Sequence, residues 1–136
     1  MTNRQRLMFA NGIVLGLFAF PSFFMDIRAI FFGAGPLTAA LRGIPSSGIG
    51  FLEAHGLAAL FAFWFLYVGR TQASPARAWH FTGAAVHTLL GASNIALWQF
   101  FIFMDMLALG YVSTAVHIVF AVLQFAVGVR AASSPR

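Results

Sequence analysis

Four histidines and three carboxylates supply almost all of the acid–base chemistry open to this chain. His80, His87 and Asn94 recur at intervals of seven, with Gly83, Ala84 and Gly91 between them. On a helix this spacing gathers the polar and small side chains on one face and leaves Leu89, Leu90, Ile95 and Leu97 elsewhere. Further on, Gly110, Ser113, Thr114, His117, Ala121, Gln124 and Gly128 follow the same periodicity, so two matching faces are expected to meet. In a hairpin turning near 103–106, positions whose numbers sum to about 208 stand opposite each other. Gly91 is then expected opposite His117, and Asn94 opposite Thr114. His87 falls about 6 Å out of step along the axis.

Glu53 is the sharpest single candidate for a proton carrier. A lone carboxylate within an apolar run needs a partner, and desolvation favours its protonated form. Asn94 lies at the same expected depth. Pairing of Glu53 with free amides of a first helical turn, or with Arg42, is the structural alternative. His55 is two residues from Glu53 and therefore about 200° away around a helix, which separates the two. His55 shares its face with Ala58, Ala59 and Ala62, while Glu53 shares its own with Gly56, Leu57, Leu60 and Trp64. The candidate ligand-binding set is His55, His87, Asn94, Thr114 and His117. His80, beside Trp79 and near Arg77, reads as an interfacial residue. Asp26 is expected to pair with Arg28 or to hold the loop that follows, and Asp105 to cap the last helix.

The elements that position these groups follow from composition. The 136 residues are 60% hydrophobic and 8% charged, with a mean hydropathy of +0.86. Such a chain cannot cover itself with a soluble surface, and an integral membrane protein is expected. The fold class is all-α, an antiparallel four-helix transmembrane bundle in one domain, 1–136. Spans are expected over 7–24, 49–68, 79–103 and 106–129, with an outward loop over 25–48 whose short apolar pieces would lie over the bundle mouth as a flap. Pro21 is expected to kink or end the first span. That span also carries Gly12 and Gly16, a small-residue pair that admits a close partner helix, including one from a second copy.

The formal charge of +5 comes from arginines at the hydrophobic boundaries, and nucleic-acid binding is discounted. Arg4, Arg6, Arg70, Arg77, Arg130 and Arg136 fall on one side against Arg28 and Arg42 on the other. This distribution puts a multi-pass protein in the cell membrane with both termini cytoplasmic. Depths counted from these arginines put His87 about 15 Å, His117 about 19 Å and His55 about 22 Å into the bilayer. Ionisable groups at such depth are functional candidates by default, although neutral imidazoles also serve as packing contacts between helices.

With no cysteine there is no disulfide framework, thiolate site or Cys-attached haem. Metalloprotease, phosphate-loop and nucleophile-elbow motifs are absent as well. The expected function is binding of an apolar or lipid-like molecule in a cavity within the bundle, open to the outer leaflet and oriented by Glu53, Asn94, His87 and His117, with proton transfer if the protein is an enzyme. An accessory subunit of a larger membrane complex is the first alternative. Haem or a divalent metal held by His87 and His117 is the second.

Overall fold

The computed structural model describes residues 1–43 and 45–132, and every regular element among them is helical. The order is α1 (Asn3–Phe32), α2 (Thr38–Gly43), α3 (Pro45–Thr71), α4 (Arg77–Ala96), α5 (Trp98–Phe103) and α6 (Leu107–Ala132). The polar tail with Arg136 lies outside the described residues.

Three helices are long and apolar enough to cross a membrane: α1, residues 46–71 of α3 and residues 107–131 of α6. The span expected over 79–103 is divided instead. α4 ends at Ala96, Leu97 leaves helical geometry (φ −103°, ψ 28°), and α5 continues from Trp98. The polar spacing that marks α4 also lowers its hydropathy relative to its neighbours.

The stretch over 25–48 is not an open loop. α1 runs through Pro21 to Phe32 because Ser22 to Phe32 contains no further breaker, and it stops where Gly33 takes a left-handed conformation (φ 62°). Met25, Ala29 and Ile30 then pack with Leu37 and Leu41 of the connection, and with Phe51, Phe100 and Met104, as a small second core. Asp105 takes the left-handed position of the α5–α6 turn (φ 54°), one residue short of the expected cap.

α1 and α3 pack antiparallel along most of their length. Small residues set their separation: a Cβ on Gly12 would lie 2.7 Å from the Leu66 nitrogen, and one on Gly69 2.6 Å from the Phe9 nitrogen. Met8, Leu15 and Ala19 of α1 and Ala58, Ala62, Phe65 and Val68 of α3 form the main core. α4 and α6 make the second antiparallel pair. The pairs join through side chains, with Trp79, Val86 and Leu90 against the main core, Trp64 stacked on Trp79 and Phe51 on Phe100. At the end holding the amino terminus, Thr2 caps α1 through a reciprocal bond with Gln5 and donates to the Ala73 carbonyl. Arg4 donates to Ser74 and to the Pro75 carbonyl, which ties the α3–α4 connection to α1.

Candidate functional site

The α4–α6 register follows the glycines. A Cβ on Gly91 would stand 3.3 Å from the His117 Cβ, and Gly83 and Gly128 likewise sit beneath Gln124 and Phe81. His117 therefore lies over Gly91, as the hairpin spacing predicts. The axial offset of His87 does not keep the rings apart. The two imidazoles lie along the seam that Gly91 opens, with centroids 5.1 Å apart and Nδ1 atoms at 2.9 Å.

The other nitrogen of His87 meets Asn11 from α1, Nε2 to Oδ1 at 2.5 Å. An amide oxygen only accepts, so His87 Nε2–H donates to Asn11. A neutral His87 then accepts at Nδ1 from His117 Nδ1–H. Phe120 stacks on His87 at 5.2 Å, and His87 and Asn11 are fully buried. Asn11 was not anticipated from the sequence, because one asparagine near the start of an apolar run carries no periodic signal.

The polar seam extends both ways. His80, expected at an interface, is fully buried with Nδ1 2.6 Å from Gln124 Oε1, and that oxygen likewise makes His80 Nδ1–H the donor. Asn94 donates to Ser113 Oγ at 3.1 Å, one residue from the Thr114 expected opposite it. Thr114 is buried, and its Oγ1 has no hydrogen-bond partner. Both nitrogens of His87 are engaged, so haem or metal ligation by His87 and His117 would first have to break these bonds. Among the described residues no group of three or more His, Asp or Glu lies together that could hold a metal.

α3 separates Glu53 from His55 as their spacing requires, and it is the histidine that turns inward. Glu53 is exposed on the same outer side as Leu57, Leu60 and Trp64. The structure does not bring it to Asn94, which is engaged with Ser113 on the other pair of helices. His55 instead meets Asp26 of α1, Nδ1 to Oδ2 at 2.6 Å. Asp26 does not pair with Arg28: it is fully buried, while Arg28 faces outward. The His55 side chain keeps 28% of its surface exposed, whereas the other three histidines are buried. The signal for this pair was in the sequence, since Asp26 and His55 occupy matching positions of antiparallel helices. It could be used only once α1 was known to continue past Phe24.

A groove lies beside this pair. Phe20, Phe23 and Phe24 of α1 and Gly56, Ala59, Leu60 and Phe63 of α3 line an open apolar cavity of about 510 Å³. Asp26 is one helical turn beyond Phe23, and His55 directly precedes Gly56 and is one turn before Ala59. Because α1 and α3 are antiparallel, both residues lie near the same end of the groove along the helices, but neither lines it. No known protein family, curated protein or solved structure matches the chain.

Proposed function

We propose that this chain is a four-span protein of the cell membrane, with α4 as the fourth span and both termini cytoplasmic, that binds an apolar, lipid-like molecule in the groove between α1 and α3. The observation that carries the reading is an open cavity of about 510 Å³ between α1 and α3 whose lining residues are all apolar. Phenylalanine rings and a glycine floor suit a hydrocarbon chain. Membrane residence is supported by the wide apolar surface outside the core, including Leu17, Phe32, Phe103 and Val122. It is supported also by the five described arginines at the end opposite Asp26, Glu53 and Asp105.

This groove takes the place of the pocket expected about Glu53, Asn94, His87 and His117. Those residues are spread between an outer face and a seam in which the histidines and Asn94 already have protein partners. Proton exchange, if the bound molecule undergoes any, falls to His55, the partly exposed histidine. Asp26 acts as its positioning residue.

Native mass spectrometry after extraction in mild detergent tests the reading. Wild type is expected to retain a lipid-sized adduct that Leu60→Trp, which narrows the groove from an exposed lining position, does not. An adduct kept in full by Leu60→Trp would contradict it. A second reading, an accessory subunit, is favoured by the same exposed Phe and Leu faces. It predicts stoichiometric partner chains, or a second copy, in the same spectra.

A further inference from the structure

Several buried polar atoms of the seam between α1, α4 and α6 are unpaired, and they gather at one end of it. Asn11 Nδ2, His80 Nε2 and Gln124 Nε2 have no hydrogen-bond partner, although all three residues are fully buried. Asn11 Nδ2 and the Gln124 carboxamide carbon would stand 2.9 Å and 3.2 Å from a Cβ on Gly83, so the two amides converge on one bare stretch of α4. His80, one turn before Gly83, holds the Gln124 oxygen through Nδ1. Arg4 Nε, two turns before Asn11 on the same face of α1, is buried and unpaired as well.

We propose that this end of the seam binds water, as a hydrated half-channel running from the Arg4 end of the bundle to the His87–His117 pair. The site shares nothing with the α1–α3 groove. Its free groups are two amide donors and, on the neutral His80 ring, one acceptor. Water accepts and donates, and buried water commonly makes about three such bonds. A cation would face the amide donors, and an anion would face the lone pair of His80 Nε2. The direction of entry follows from position. His80 lies three residues from the start of α4 at Arg77, and Arg4 bonds to Ser74 and Pro75 of the α3–α4 connection. From Arg4 the unpaired atoms reach about 10 Å inward to Asn11 by helical rise. There they stop, because both nitrogens of His87 are bonded and Phe120 stacks on its ring. Thr114 Oγ1, the next unpaired atom, lies past His117 on α6. The histidine pair thereby faces water on one side of the bundle only.

The test is water-edited solid-state NMR of ¹³C,¹⁵N-labelled protein in phosphatidylcholine bilayers. Magnetisation from water is expected to reach the side-chain nitrogens of Asn11 and Gln124 about threefold faster or more than the side chains of Met8 and Leu15, which bracket Asn11 in depth on α1 and belong to the main core. Transfer as slow as to Met8 and Leu15 would mean a dry seam and would overturn the proposal. Thr114 should receive magnetisation slowly; transfer as fast as to Asn11 would show water on both sides of the histidines and overturn the half-channel. Gln124→Leu is expected to slow transfer to Asn11 by about twofold or more. An unchanged rate would show that Gln124 holds no water there and would overturn the site. Should Gln124→Leu fail to fold, deuterium exchange of wild type decides instead. The Asn11 and Gln124 side-chain amides should exchange before the backbone amides of Leu15 and Ala19, and retention as long as theirs would overturn the proposal.

Discussion

His87 and His117 approach each other through their Nδ1 atoms at 2.9 Å, across helices whose spacing sets the two residues about one turn out of step. Gly91 makes this approach workable by leaving the surface beneath His117 without a side chain. Asn11 then fixes the direction of the chain of bonds, from His117 to His87 to Asn11. The seam so formed adds a polar contact between α1 and the α4–α6 pair to the apolar packing of Trp79, Val86 and Leu90 on the main core.

Removing two neighbouring members of that chain together should cost less than the sum of removing each alone. His87→Leu leaves His117 Nδ1 and Asn11 Oδ1 buried without partners, a penalty of about 1–3 kcal/mol. His87→Leu combined with His117→Leu should fall short of the sum of the singles by about 0.5–3 kcal/mol. Thermal unfolding in detergent reads both quantities, and strict additivity would show that the two rings are not coupled.

The α1–α3 contact gives a paired prediction from two glycines. At Gly12 a methyl group would meet the Leu66 nitrogen and the Ala62 carbonyl, backbone atoms that cannot turn aside. Gly12→Ala is expected to destabilise by about 1–3 kcal/mol. At Gly50 nothing lies within 4 Å, and Gly50→Ala should be neutral or stabilising by up to about 1 kcal/mol. Equal melting temperatures for the two variants would contradict the packing.

Much of this arrangement could be read from spacing within single helices. The polar faces of α4 and α6, the position of Gly91 beneath His117 and the separation of Glu53 from His55 all follow from helical periodicity. What periodicity cannot supply is which helix comes to lie beside which. Asn11 and Asp26 gained their partners only when α1 was packed against α4 and α3. Asp26 was also hidden by the expectation that the first span stops at Phe24, with Pro21 kinking or ending it. An exposed proline can remain inside a helix, and the helix ended instead at Gly33, where the backbone turns left-handed. Hydropathy likewise gives the depth of Glu53 along α3 but not the outward side on which it lies.

Glu53→Gln is therefore expected to leave stability within about 0.5 kcal/mol of wild type and to leave lipid retention unchanged. Asp26→Asn, at a buried carboxyl bonded to His55, should lower stability by about 1–3 kcal/mol. Denaturation monitored by tryptophan fluorescence distinguishes them, and the reverse order of effects would show that the acid–base centre lies at Glu53.

The proposed orientation rests on arginines at one end of the bundle. A green fluorescent protein fused after Arg136 should fluoresce and an alkaline phosphatase fused there should stay inactive, while phosphatase inserted at Gly35 should be active. The opposite pattern would invert the topology and put Asp26 and His55 towards the cytoplasmic side.

The most direct measurement of the central claim is solid-state NMR of the protein in bilayers containing a dilute single-chain amphiphile with a ¹³C-labelled chain. Cross-peaks from that chain to Gly56, Ala59 and Phe23 are predicted, with none of comparable strength to Leu17 or Val122 on other outward faces. Contacts of equal strength to all of these residues would mean that the chain is ordinary surrounding lipid and that the groove binds nothing of its own.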